Sequence, residues 1–183
     1  RELQFMEQHI YKQSRLQDII SNDASQEDII KLIEELGDDC FPRHIDNGGR
    51  TALIMACYKQ LSIVAIKLIE KFGINCLPGH VSGNNTALIY TCYYKMEDVA
   101  IKLIETYCNP LGVLCKPEQL DEDKRSALYY AFTKCSDKLT ELMLNTFGKT
   151  CVVGNLDTSV NKDGVLFSVR YAEYIKDQEL QFI

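Results

Sequence analysis

The chain has little of what nucleic-acid-binding or membrane-spanning proteins need. Its 183 residues carry 20 lysines and arginines against 26 acidic residues, for a net charge of −6, and the basic residues form no cluster. Nucleic-acid binding depends on the neutralisation of phosphates, so this balance disfavours such a partner. No apolar run is long enough to cross a bilayer and no secretory leader is recognisable, so we expect a cytoplasmic protein without a membrane partner.

The usual sequence signatures of catalysis are also missing. Only three histidines occur, and His9 stands alone near the start of the sequence. The sequence has neither a glycine-rich phosphate loop nor a nucleophile elbow. We therefore expect no enzyme activity, no catalytic residue, no cofactor and no small-molecule substrate.

Two short motifs resemble pairs of metal ligands. Three residues separate Cys40 from His44, and the same spacing separates Cys76 from His80. A structural zinc site usually has closely paired cysteines and four converging ligands, and the sequence shows neither pattern. Gln119 replaces the histidine in the next copy of the motif. We interpret the spacing as a by-product of sequence repetition and expect no metal site.

One block of sequence returns four times and ends each time in glycine, two variable residues and a cysteine. The cysteines of this Gly-x-x-Cys element lie 36, 39 and 36 residues apart. They are Cys40, Cys76, Cys115 and Cys151. Recurrence at such an interval is typical of stacked repeats, in which each unit contacts only its neighbours.

These periodic cysteines are poorly placed for disulfides. Equivalent residues of stacked units lie about as far apart as packed helices, roughly 8 to 10 Å, whereas a disulfide needs Cα atoms within about 7 Å. We expect reduced, buried cysteines that act as small apolar residues, in a reducing compartment.

Each central unit contains two predicted helices. A hydroxyl residue ahead of Ala-Leu can cap the first helix, and this residue is Thr51, Thr86 or Ser126. The second helix carries apolar residues on one face, and the glycine of Gly-x-x-Cys stands where it would end in a left-handed residue. Polar stretches rich in turn formers, such as residues 46–49, precede the first helices and can form tight turns.

At these residues the chain resembles an ankyrin repeat protein, whose unit is a hairpin-like loop and two antiparallel helices, roughly 33 residues in all. The matching features are the Thr-Ala-Leu helix start, the small pair Ala56-Cys57 or Thr91-Cys92, the Val-Ala-x-x-Leu-Ile second helix and the terminal glycine. The Cys-x-Pro element resembles the divergent ankyrin repeats of giant viruses of amoebae. Alanine replaces the family's usual proline after the threonine, and the loops are longer, which leaves the loop geometry open.

The resemblance implies an all-α fold, an ankyrin-type α-solenoid of stacked helix-turn-helix repeats with hairpin-like connecting loops. We predict a single domain over 1–183. Its units are 1–40 (degenerate), 41–76, 77–115 and 116–151 (central), and 152–183 (atypical or truncated). In the first unit we expect a helix from Leu16 to Ile20. In the last we expect one helix over 167–174 and the start of another over 178–183.

Positions four, seven and eight residues after each helix start are predicted to face the concave side of such an array. They are Met55, Tyr58 and Lys59, then Tyr90, Tyr93 and Tyr94, then Tyr130, Thr133 and Lys134. Tyrosine offers a large contact area at a low entropic cost and is enriched at protein interfaces. We call these nine residues the stripe. It is either a partner-binding surface or a set of rings that pack sideways on neighbouring units and shield the core.

The junction after the second helix of the middle unit contains a short insertion. The added residues, 108–111, lengthen this junction relative to the preceding copy. Insertions in repeats map to loops, which often carry function. Neutral variation in an exposed loop explains the insertion equally well.

Two functions follow as hypotheses. The first is a non-catalytic domain that binds one protein partner through the Tyr-rich face and the loop tips. By resemblance to ankyrin proteins of viruses and intracellular pathogens, the partner would be a host protein in the host cytoplasm, and one role would be an adaptor to ubiquitin-ligase machinery. The second is a structural spacer within a longer repeat protein or particle. A metal-dependent or thiol enzyme would require bound zinc or a reactive cysteine.

Overall fold

Helices dominate the computed structural model, which describes residues 16–109, 112–154, 156, 159–161 and 163–180. The helices are α1 (described over residues 16–21), α2 (Gln26–Leu36), α3 (Ala52–Tyr58), α4 (Ser62–Phe72), α5 (Ala87–Tyr93), α6 (Glu97–Tyr107), α7 (Ala127–Lys134), α8 (Asp137–Phe147) and α9 (Phe167–Leu180). Short 3₁₀ helices at Gly37–Cys40, Gly73–Cys76 and Gly148–Cys151 follow α2, α4 and α8. The predicted all-α class is confirmed, and so is the helix expected from Leu16 to Ile20.

The helices lie in two rows. The first helices α3, α5 and α7 contact one another in succession, as do the second helices α2, α4, α6 and α8. Each of α3, α5 and α7 also contacts the second helix that follows it in the chain. The core lies between the rows, where leucines such as Leu53, Leu88 and Leu128 are fully buried. Each helix pair therefore buries its apolar faces against the pairs on either side.

The first helices begin at the predicted hydroxyl residues. Thr51, Thr86 and Ser126 are fully buried and have extended backbones. Each side-chain oxygen accepts a hydrogen bond from the amide three residues further on, at 3.2 Å for Thr51 and Thr86 and 3.3 Å for Ser126. These bonds satisfy backbone donors that a helix start leaves unpaired.

Glycine ends α2, α4 and α8 as predicted. Gly37, Gly73 and Gly148 have φ values of 52°, 51° and 54°, and each donates its amide to the carbonyl four residues earlier. Their ψ values of −129° to −132° differ from those of the left-handed helix. The chain therefore leaves the α-helix through a 3₁₀ helix that carries the cysteine back to the core.

The cysteine of each Gly-x-x-Cys element contacts its second helix at an equivalent place. The thiols of Cys40, Cys76 and Cys151 donate to the carbonyl eight residues earlier, at 3.7, 2.9 and 3.7 Å. Cys115 follows the insertion, and its thiol donates to the carbonyl of Leu103, twelve residues earlier, at 3.5 Å. All eight cysteines are buried and none forms a disulfide, so the predicted burial is confirmed.

The insertion changes the chain path after α6. Strand β1 (Cys108–Asn109) pairs antiparallel with strand β2 (Gly112–Val113), so Gly112 lies in a strand instead of at a helix end, contrary to the prediction. The added residues let the chain fold back before the cysteine returns to the core. The carbonyl oxygen of Leu114 approaches Gly79 so closely that a Cβ atom there would lie 2.2 Å away. The junction thus packs on the loop at the start of its own unit, 77–115. Residues 110 and 111 lie outside the described residues.

The loops before the first helices are closed by paired backbone groups. Asp46, Asp121 and Asn161 each donate their amide to the carbonyl four residues on, at 3.0 Å. The side chains of these residues accept two further backbone amides within the loop. The middle unit instead turns through Gly83 and Asn84, both at positive φ. Hairpin-like turns are therefore present in two chemical forms.

The carboxyl-terminal helix differs from the prediction. Helix α9 is continuous from Phe167 to Leu180, so residues 178–180 extend the first helix and do not begin a second. The sequence has no glycine or proline between 167 and 180 that would end the helix earlier. Residues 181–183 lie outside the described part of the chain.

Replacement of Ser126 by alanine tests the buried helix cap. Ser126→Ala removes the acceptor for the amide of Tyr129 without creating a large cavity, and we expect it to lower the free energy of unfolding by about 1 kcal/mol. Ser126→Thr, which introduces the residue of the other two units, should keep most of the stability. Urea unfolding would measure both, and an alanine variant as stable as the parent would contradict the role of the cap.

Candidate protein interface

Five tyrosines that lie in three successive first helices, or directly after one of them, form a continuous ring cluster. We call Tyr58, Tyr90, Tyr93, Tyr94 and Tyr130 the tyrosine cluster. Centroid distances are 5.6 Å for Tyr58–Tyr90, 4.8 Å for Tyr93–Tyr94 and 5.1 Å for Tyr93–Tyr130, all edge to face. Tyr90 and Tyr94 stack at 6.3 Å. Such pairs contribute about 0.5–1.5 kcal/mol each beyond area burial, so the rings hold one another in place.

The exposure of the predicted stripe depends on the position in the helix. Tyr58 and Tyr93, seven residues after the helix start, are 48% and 41% exposed. Met55 and Tyr130, four residues after the start, are only 2% and 3% exposed, contrary to the expected surface position. The fourth position turns toward the neighbouring first helix, where Tyr130 meets Tyr93. The other predicted members are half-buried: Lys59, Tyr90, Tyr94, Thr133 and Lys134.

Two polar members of the stripe form local contacts. Lys59 donates to the carbonyl of Ser21 at 2.8 Å and forms an ion pair with Asp23, which ties α3 to the end of α1. The hydroxyl of Thr133 donates to the carbonyl of Tyr129 within α7, at 2.8 Å. The polar groups of Lys59 and Thr133 are therefore engaged in contacts within the chain, and they contribute less to a binding surface than the exposed tyrosines do.

Two basic side chains cover rings at one end of the tyrosine cluster and on the adjacent Tyr129. The ammonium of Lys134 lies 3.6 Å from the centroid of Tyr93 and 5.2 Å from that of Tyr130. The guanidinium of Arg125 lies 5.3 Å from the centroid of Tyr129. Burial lowers the pKa of Lys134, and the positive charges of Lys95 and Arg125 lower it further. The ammonium group of Lys134 is thus partly desolvated against the rings of Tyr93 and Tyr130.

Three hydroxyls of the cluster, those of Tyr90, Tyr94 and Tyr130, have raised pKa values. Tyr130 donates a 2.5 Å hydrogen bond to a carboxylate oxygen of Asp121. Burial, and then this bond, raise the pKa of Tyr130 to about 12. The pKa values of Tyr90 and Tyr94 are raised by burial and then by neighbouring Tyr58. Tyr90, Tyr94 and Tyr130 therefore present neutral hydroxyl groups at neutral pH.

A pocket of about 270 Å³ opens beside the cluster. It is lined by Asn85, Ile89, Tyr90, Tyr93, Tyr94, Asp121, Glu122, Asp123 and Tyr130. The structure thus brings four predicted stripe residues together with a wall of loop residues that the sequence did not assign to the site. In the sequence, residues 121–124 indicate only a polar turn. Helix spacing selects residues on one face but does not predict which loop bends over it.

A second concavity lies among the loop tips. A groove of about 300 Å³ is lined by Arg43, Ile74, Leu77, Pro78, Gly79, His80 and Leu114. Ile74 is 57% exposed and Leu114 is 42% exposed. The groove thus has apolar surface beside the contact between Gly79 and Leu114.

The motifs considered for metal binding or catalysis are engaged in structural contacts. The Cys76 thiol donates to the carbonyl of Leu68, while Nε2 of His80 lies 2.8 Å from the carbonyl of Gly49. Among the described residues, no group of three or more His, Cys, Asp and Glu side chains could hold a metal ion. Burial raises the pKa of Cys76 and Cys151 to about 12, so both thiols are protonated at neutral pH. His9 lies outside the described residues.

Comparisons of the sequence with protein-family models and with curated proteins find no match. Over the described part of the chain, no helix is both long and apolar enough to cross a membrane. The function is therefore inferred from the geometry of the tyrosine cluster and its pocket.

Tyr130→Phe tests the environment of the buried hydroxyl. A pKa near 12 in the folded state, against about 10 in an unfolded chain, means that folding favours the neutral phenol. The resulting stability is complete below pH 10 and is lost as the pH rises toward 12. Denaturant unfolding between pH 9 and 12 should therefore show a shallower fall for Tyr130→Phe than for the parent.

Tyr129→Phe is the matched control, because it leaves the hydrogen bond between Tyr130 and Asp121 intact. We expect this control to keep the steep fall of the parent. Equal slopes for the parent and Tyr130→Phe would contradict the assigned environment of the Tyr130 hydroxyl.

Proposed function

We propose that this chain is an ankyrin-type solenoid that binds a protein partner without catalysis. The two rows of helices, the hairpin-like turns and the recurrence of Gly-x-x-Cys every 36 to 39 residues support the ankyrin assignment. Repeat arrays offer an extended surface whose side chains can vary without loss of the core. That property suits a binding module.

One observation carries the proposal: Tyr58 and Tyr93 remain 48% and 41% exposed within a packed ring cluster. Their neighbours Tyr90 and Tyr94 are half-buried, so the cluster also shields the core between first helices. The half-buried rings support the shielding interpretation of the stripe, and the exposed rings support the interface interpretation. Rings that are already fixed by their neighbours lose little conformational freedom on binding. Tyrosine is also one of the residue types enriched among interface hot spots.

The partner that we propose is a host protein in the host cytoplasm. This rests on the resemblance of the Cys-x-Pro and Thr-Ala-Leu elements to divergent viral ankyrin repeats. Eight buried cysteines without a disulfide are compatible with a reducing compartment. An adaptor to ubiquitin-ligase machinery is a narrower form of the proposal, which a ligase component among the bound proteins would support.

A structural spacer within a longer repeat protein or particle is the second candidate. It is favoured by the apolar surface of the last unit, where Val160, Leu166 and Val169 are 44%, 43% and 49% exposed. A further repeat would cover such a surface. The binding module requires the exposed rings of the tyrosine cluster for its function, whereas the spacer does not.

The double variant Tyr58→Ala/Tyr93→Ala tests partner binding. Both variant and parent would be immobilised for affinity capture from cell lysate, with bound proteins identified by mass spectrometry and affinities measured on the purified partner. We expect about a 30-fold loss of affinity, because removal of hot-spot tyrosines typically costs 2 kcal/mol or more.

The control replaces Ile63, a 58% exposed apolar residue at the start of the second-row helix α4, by alanine. It should bind the partner like the parent. Thermal unfolding would verify that all variants are folded. A partner held equally by the parent and the double variant would refute binding through the tyrosine cluster, and an absence of any specific partner would favour the spacer.

A further inference from the structure

We infer that the pocket beside the tyrosine cluster accepts a lysine or arginine side chain of the protein partner. The inference rests on the proposed binding function and specifies the chemistry of the bound segment. It follows from the charge of the pocket wall, the aromatic rings opposite that wall and the size of the cavity.

The pocket combines negative charge with aromatic surface. Three of its lining side chains are carboxylates, Asp121, Glu122 and Asp123, and none of the lining side chains is basic. Four lining residues are tyrosines, whose ring faces attract cations. An acidic partner side chain would be repelled by this wall, and a purely apolar one would leave Glu122 without a counter-charge.

The three carboxylates are not equivalent. Asp121 accepts the backbone amides of Asp123 and Arg125 and the hydroxyl of Tyr130, so its oxygens are already used. Asp123 forms a 2.8 Å ion pair with Arg125. Glu122 is exposed and forms no hydrogen bond or ion pair within the described part of the chain. Glu122 is therefore the carboxylate available to an incoming cation.

Two rings that line the pocket, and one ring next to it, already lie against cations of this chain. Lys134 lies over Tyr93 and Tyr130, and Arg125 lies over Tyr129. Their charges partly offset the acidic loop, but neither side chain lines the pocket. Tyr90 and Tyr94, which do line the pocket, have no basic side chain over their rings among the described residues. A partner cation can therefore lie between these rings and Glu122.

The size of the pocket suits one long side chain. Sites for drug-sized ligands usually measure about 300–1,000 Å³, and this pocket of about 270 Å³ lies below that range. Lysine and arginine can pack their aliphatic stems on apolar surface while the charged end reaches a carboxylate. Ile89 and the ring of Tyr90 supply the apolar surface, and Glu122 supplies the carboxylate.

A titration with defined peptides tests the inference. The probe is acetyl-Gly-Ser-Arg-Ser-Gly-amide, with Lys, Gln and Glu versions of the central residue, followed by NMR chemical shifts of the protein. We expect the Arg and Lys peptides to shift signals of Tyr90 and Tyr94 in a saturable manner, and the Gln and Glu peptides to leave them unchanged.

Variants locate the binding charge. Glu122→Gln should weaken binding of the Arg peptide about three- to fivefold, the effect of one partly exposed ion pair. Glu105→Gln, which neutralises an exposed acid on α6 outside the pocket, should leave the affinity unchanged. Equal binding of the Arg and Gln peptides, or an unchanged affinity of Glu122→Gln, would overturn the inference.

The same variants separate this inference from the proposed function. A captured partner that is lost by Tyr58→Ala/Tyr93→Ala but held with unchanged affinity by Glu122→Gln would overturn the basic-residue inference alone. Selective binding of the Arg and Lys peptides without any captured partner would support the pocket assignment, while the proposed function would fail.

Discussion

The structure depends on the burial of each helix pair against its neighbours. Helix α4 is only 11 residues long, and an isolated helix of that length is marginal in water. Its apolar side chains Val64, Leu68 and Ile69 are buried because α2 and α6 lie on either side. Since no pair can form its core alone, stability arises along the array, and the equivalent positions of successive units share the same demands.

That dependence explains which features recur and which vary. The buried caps Thr51, Thr86 and Ser126 recur because a helix start between two others has no access to water for its unpaired amides. The thiol of Cys115 meets the helix carbonyl equivalent to that of the other units even though four residues have been added before it. The added residues are accommodated by the short antiparallel pair of strands β1 and β2. The array therefore tolerates changes of length in its loops.

The sequence predicted the elements that depend on periodic burial. It indicated the helix caps, the positive φ of glycines such as Gly73, and the buried cysteines, because each follows from the local pattern. It was wrong at Gly112, where an insertion replaced a helix end by a strand, and at residues 178–180, where nothing stops α9. Met55 and Tyr130 were placed on the surface because spacing along one helix does not include the neighbouring first helix, which covers that position.

The pocket shows most clearly what a sequence pattern leaves out. Its tyrosines come from α5, from the residue directly after α5, and from α7. Its acidic wall comes from the loop before α7, which is bent by the side chain of Asp121. That carboxylate both organises the turn and accepts the hydroxyl of Tyr130, so one residue fixes the loop against the ring cluster. Glu122 next to it is left without a structural role in the turn. The contacts of Asp121 thus fix the position of the acidic loop, while Glu122 contributes the negative charge that a partner would contact.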